Sequence, residues 1–187
     1  MMKTIPGTSP DFWANQNALL NEYYQTDWGH PKHSEREVFE LLVMEQFSAG
    51  LNWLMILSRR DQLRRAFADY DLPTLAAWTD VDQERALQAE GMIKNHLKIA
   101  AVPNNARATL ALRPEFKNLA DYVWSFTEGE QIIHAPASAA ETPTQDELSQ
   151  RGAKDMKKRG FKFVGPVIVY NYLQACGVID DHIVTPD

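Results

Sequence analysis

EVFELLVMEQFSAGLNW, residues 37–53, decides how the rest of the chain is read, because its periodicity puts an acid on the apolar face of a helix. At about 100° per residue, Val38, Leu42, Glu45 and Ala49 fall in one narrow sector, which Phe39 and Leu41 widen into an apolar stripe. Glu45 therefore points inward. An ionised carboxylate there must be paired, hydrogen-bonded or protonated, since burying it alone costs several kcal/mol. It is either a structural ion pair or cap contact, or a functional acid. Gly50-Leu51-Asn52 then breaks the helix and Trp53 resumes an apolar run, so a tight turn carrying an exposed Leu sits beside the acid.

Helical patterns extend outward on both sides. Upstream, the first ten residues hold Pro6, Gly7 and Pro10 and read as an arm. Phe12 and Trp13 open a helix running through Leu19, Leu20, Tyr23 and Tyr24 to about Asp27-Trp28-Gly29-His30-Pro31. Ser34 starts the central helix at Glu35. Downstream, a short apolar helix spans Trp53 to Leu57, and Ser58 with Asp61 predicts a capping box for a helix reaching Tyr70. Pro73-Thr74 and Asp80 or Asp82 open two more, the second stopping at Gly91. No period-two strand pattern persists anywhere, which makes the expected fold all-α.

Composition narrows the classes. With 187 residues and 44% hydrophobic content, the chain can bury one good core or two small lobes sharing a cleft. A single cysteine, Cys176, excludes an internal disulfide and any multi-thiolate metal site, and fits a reducing cytoplasm. MMKTIPGTSPDFW has no apolar run, so neither a signal peptide nor a membrane contact is expected. The net charge of −6 excludes a protein coated in basic residues, yet a nucleic-acid binder needs only one basic face.

Two stretches offer such a face. Residues 82–101 read as helix, hairpin Gly91-Met92-Ile93-Lys94-Asn95, and a second helix that Pro103 should kink or end. That hairpin offers N–H groups and a helix dipole to an anion, with Lys94 and Lys98 alongside. Past a surface loop at 134–143, Thr144 and Glu147 predict a capping box for a helix bearing Arg151, Lys154, Lys157, Lys158 and Arg159, and Lys162 extends the run beyond Gly160. Runs of this kind are usually solvated faces; against an acidic background this one reads as a phosphate-facing patch. A closing helix opens at Gly165-Pro166 and ends at Gly177, apolar nearly all round.

DWGHP (residues 27–31), AGLNW (49–53), KKRGFKFVG (157–165) and QACGVIDDH (174–182) together resemble the bacterial DNA-3-methyladenine glycosylase I family, in sequence and spacing, over about residues 13–182. The resemblance implies a helix-hairpin-helix DNA glycosylase fold, one domain over 1–187 with a DNA-binding cleft between helical lobes. It implies an enzyme that flips 3-methyladenine out of double-stranded alkylated DNA and hydrolyses its N-glycosidic bond. By position, Glu45 matches the pocket acid, Trp53 the stacking ring, Tyr23 and Trp13 the other pocket aromatics, and Leu51 the wedge that fills the gap left in DNA. Lys94, Lys98 and Lys162 are the expected backbone contacts. The protein is expected to work in the cytoplasm as a monomer.

The chain also departs from the family. Its zinc is held by two Cys and two His, whose positions here are Asp11, Tyr24, His182 and Pro186, so one ligand of four remains and no zinc is expected. Either Phe12 and Trp13 then attach the arm or nothing does, and His182 becomes a hydrogen-bonded packing residue. Gln46-Phe47-Ser48, Leu20 and Leu97 also differ from the usual residues. These changes leave open a zinc-free relative that binds damaged DNA without efficient excision. The acidity leaves open a helical interaction protein with no nucleic-acid role.

Overall fold

A computed structural model describes residues 4–184. Its axis is α2 (Glu35–Ser48), in which every residue from Val38 to Phe47 is buried. The expected one-sided stripe is thus exceeded: α2 packs against α3 (Trp53–Leu57), α7 (His96–Leu110), α8 (Leu119–Trp124) and α10 (Pro166–Ala175), which leaves it no solvent face. Glu35 and Glu37 in its first turn favour the helix dipole, while Ser34 caps without a side-chain bond. Around this axis α7 gathers α5 (Leu72–Ala76) and α6 (Asp80–Leu87), and α10 carries α9 (Glu147–Lys158). A 3-10 turn at Trp13–Asn15 and α1 (Ala18–Thr26) lie against α3 at the same end.

The helix starts follow local hydrogen bonding more closely than simple spacing. Helix α4 (Arg60–Ala66) has no capping box at Ser58, whose hydroxyl instead donates back to Met55 O at 3.0 Å, and it stops before Tyr70 because Ala68, Asp69 and Tyr70 all take positive φ. Asp146 and Ser149, rather than Thr144 and Glu147, form the box that opens α9. Pro103 neither ends nor divides α7, which runs on to Leu110. Proline removes one bond to the preceding turn, but Val102, Pro103 and Ala106 are buried in the core, and that packing offsets the loss. A two-residue parallel pair, β1 (Ile132–Ile133) with β2 (Ile179–Asp180), is too short to leave a period-two signal. Gly177 needs both its φ of +72° and its missing Cβ, since a methyl group there would lie 2.2 Å from the His30 carbonyl.

Candidate active site

Helix α2 carries two buried acids with opposite surroundings. Glu40 is enclosed by cations: Arg64 donates to both of its oxygens at 2.8 Å, and Arg60 bonds it while also reaching Asp27. That is a structural ion network. Glu45, five residues on and 4% exposed, has no cation among the described residues, where its carboxylate receives only the Ser48 hydroxyl, at 3.2 Å. Burial pushes its pKa up to about 8, and the Ser48 hydrogen bond offsets only part of that rise.

Glu45 opens onto a cavity of about 540 Å³ floored by aromatic rings. Tyr23 from α1 lies 5.5 Å from Trp53 at the start of α3 and 6.5 Å from Trp13 in the 3-10 turn, measured between ring centroids. The Tyr23 hydroxyl and the Trp53 indole N–H are both buried with no hydrogen-bond partner among the described residues. Orphaned polar groups of this kind each cost about 1–3 kcal/mol unless something else satisfies them. A carboxyl with one hydroxyl partner, an unpartnered phenol and an unpartnered indole N–H, set among rings, fit a flat ligand that carries its own donors and acceptors. The structure therefore brings Glu45, Trp53, Tyr23 and Trp13 to one cavity.

Leu51 is 39% exposed at the rim of that cavity, on the turn that follows α2. Lys94 in the hairpin and Lys162 after α9 are exposed and make no ion pair among the described residues. Lys98 is different and corrects an expectation. It is 5% exposed, and its ammonium donates to Phe47 O at 2.7 Å and Ala49 O at 2.6 Å, which commits it to the end of α2 rather than to a phosphate. Burial lowers its pKa. Arg159 is likewise engaged, with Glu115 and Asp155.

Sequence reasoning missed part of the wall. Asn52, Gln174 and Asp181 line the cavity, as do Thr142, Pro143 and Thr144 from the 134–143 loop and the residues just after it. Asp181 is buried and accepts from Tyr170 Oη, Gln174 Nε2 and His134 Nδ1 at 2.7, 2.7 and 2.6 Å. The signal available in the sequence is its place in QACGVIDDH, next to His182.

The first and last described segments of the chain meet beside the cavity. His182 pairs Nδ1 with Asp180 at 2.6 Å and Nε2 with Tyr24 O at 2.7 Å, with its ring edge-on to Tyr24 and Trp28. The Tyr24 hydroxyl accepts the Ile183 N–H at 2.9 Å. Asp11 is exposed, and Pro186 lies outside the described residues. Both nitrogens of the one retained imidazole are committed, so these residues do not fit a zinc ion. Phe12 packs edge-on to Tyr24, and buried Ile5 donates its N–H to Asn15 Oδ1 at 2.9 Å, which holds the arm. No helix among the described residues is long and apolar enough to cross a membrane.

The methyladenine glycosylase family matches residues 13–186. DNA-3-methyladenine glycosylase 1 of Escherichia coli (strain K12) is 37% identical over 172 residues, 92% of either chain. A crystal structure of 3-methyladenine DNA glycosylase I superposes with a TM-score of 0.88 at 40% identity, over 94% of this chain and 98% of that one. A variant of 3-methyladenine DNA glycosylase I in complex with 3-methyladenine superposes at 0.87 with 28% identity, over 90% of each.

Proposed function

Since the chain belongs to the methyladenine glycosylase family, we propose that the Glu45 cavity is where an extruded alkylated base is held and cut from DNA. The activity is that of a 3-methyladenine DNA glycosylase I, a DNA-repair hydrolase acting on N-glycosidic bonds in alkylated DNA. The observation that carries the assignment of the site is the polar groups left with few partners on the residues that line one ring-lined cavity. Glu45 has the Ser48 hydroxyl and no cation among the described residues, and the buried Tyr23 hydroxyl and Trp53 N–H have no partner among them.

The chemistry suits those groups. A 3-methylated adenine in DNA carries a positive charge, so its glycosidic bond is already weak and recognition is the larger task. Trp53, Tyr23 and Trp13 offer electron-rich faces to the cation, each contact worth about 0.5–2 kcal/mol. Glu45 holds a proton at neutral pH when the cavity is empty; the arriving cation favours the carboxylate, which gives its proton up to solvent and then accepts a hydrogen bond from the base edge. As the C1′–N bond breaks, its electron pair neutralises the base while water oxygen bonds C1′ and releases a proton. The Glu45 charge stabilises the oxocarbenium-like sugar on the way.

Leu51 fills the gap left in the stack, and Lys94 and Lys162 hold the backbone. The chain works without the family's zinc, a reading supported by the committed nitrogens of His182. One continuous core supports a single glycosylase domain, and the buried thiol of Cys176 suits the cytoplasm. Incubation with alkylated duplex should release 3-methyladenine, and Glu45→Gln, folded as judged by circular dichroism, should release it at least about a hundredfold more slowly. Equal release by the two proteins would remove Glu45 from the site.

A further inference from the structure

Residues Ser48–Leu51 form a type II β-turn. Leu51 N–H donates to Ser48 O at 2.8 Å, Ala49 has φ −52° and ψ 114°, and Gly50 has φ +74°. In such a turn the central peptide, here the one joining Ala49 to Gly50, takes no part in the closing hydrogen bond, so its carbonyl is left to an outside donor. The carbonyl of that peptide is Ala49 O. It is held by Lys98 Nζ at 2.6 Å, and the same ammonium takes Phe47 O, one of the carbonyls left over at the end of α2.

Lys98 is itself fixed from both ends. Its backbone N–H donates to Asn95 Oδ1 at 3.1 Å, in the cap that starts α7 directly after the hairpin. Its carbonyl accepts from Gln46 Nε2 at 2.7 Å, and Gln46 Oε1 accepts from Asn105 Nδ2 at 3.0 Å. Asn105 Oδ1 in turn takes the Lys162 N–H at 2.8 Å. Gln46 and Asn105 are fully buried. One polar relay therefore ties the hairpin helix, the end of α2 and the turn after α9.

We infer that Lys98 is a positioning residue: the ammonium anchored in the hairpin helix pins the end of α2 and the Ala49–Gly50 peptide to α7, and so fixes where Leu51 stands relative to the DNA gripped by that hairpin. The inference rests on the proposed wedge role of Leu51. It gives Lys98 a function through the turn, with no phosphate contact. Gly50 serves the same geometry through its φ, since a Cβ there would meet nothing within 4 Å.

The test compares Lys98→Met, Leu51→Ala and the double variant, each confirmed folded by thermal melt, in three measurements. Single-turnover excision of 3-methyladenine from duplex should slow about tenfold or more in Lys98→Met. Binding of free 3-methyladenine, read by tryptophan quenching, should stay within about twofold, because the cavity is intact. The slope of duplex affinity against salt should not change, whereas loss of a phosphate contact would reduce it by about 0.9. Lys98→Met should slow excision no further once Leu51 is Ala. A reduced salt slope, multiplying losses in the double variant, or free-base binding that falls along with excision would each overturn the inference. If Leu51→Ala excises normally, the wedge reading itself fails; if it is slow while Lys98→Met is not, only the role of Lys98 fails. Should Lys98→Met not fold, Gly50→Ala, which disturbs the same peptide from an exposed position, must slow excision in a Leu51-dependent way for the inference to stand.

Discussion

Burial raises the Glu45 pKa to about 8 from its usual 4.5, so between those values the folded chain keeps a proton that the unfolded chain releases. Stability then falls as pH rises through this window, by up to about 1.4 kcal/mol per pH unit, because the unfolded state binds fewer protons there. Below 4.5 both states are protonated and Glu45 costs nothing extra; above about 8 the cost levels off. Urea unfolding of Glu45→Gln and the natural chain should therefore coincide in acid and diverge toward alkaline pH, with the variant the more stable. Parallel curves would mean that Glu45 ionises as freely as a surface acid. Periodicity showed the inward acid because one polar residue broke an apolar sector. It did not show Glu40, whose partners Arg60 and Arg64 come from α4, twenty and more residues away. Nor was the idle state of the Tyr23 hydroxyl and Trp53 N–H legible, since a missing partner is visible only once all neighbours are placed.

At the scale of elements, two exposed lysines on different segments reach toward one duplex in the proposed function. Lys94 sits in the hairpin before α7, and Lys162 follows α9, its backbone fixed by Asn105 of α7. Lys94→Ala and Lys162→Ala should each weaken duplex binding regardless of sequence and reduce the salt slope by about 0.9, with free-base binding unchanged. Slopes equal to that of the natural chain would place the DNA elsewhere. Lys98 shows the limit of reading charge from sequence: its spacing from Lys94 put it on the hairpin, but only the packed helices reveal that its ammonium turns inward to the end of α2. The elements themselves were largely legible where turn chemistry and periodicity agree, as at Trp53–Leu57 and Pro166–Ala175. Boundaries failed where a competing local bond won, at Ser58 and Asp146, and where core packing carried α7 through Pro103.

Across the whole molecule the segments near the two ends must be joined, because the 3-10 turn and α1 supply Trp13 and Tyr23 to the cavity while Asp181 walls it from more than 150 positions away in sequence. His182 makes that junction here, bridging Asp180 to the Tyr24 carbonyl between the Tyr24 and Trp28 rings. The surroundings are tight, since a Cβ added to Gly29 would approach the His182 ring to 2.7 Å. A clasp of hydrogen bonds and rings is insensitive to chelators, whereas a metal tie is not. Prolonged EDTA treatment should therefore leave the melting temperature and excision rate unchanged, and added zinc should raise neither. His182→Ala should cost about 1–3 kcal/mol, the expected penalty for buried partners left unsatisfied, and should loosen free-base binding because α1 carries Tyr23. Stoichiometric zinc by elemental analysis, or a melt that falls on chelation, would mean that the ends are held by metal after all.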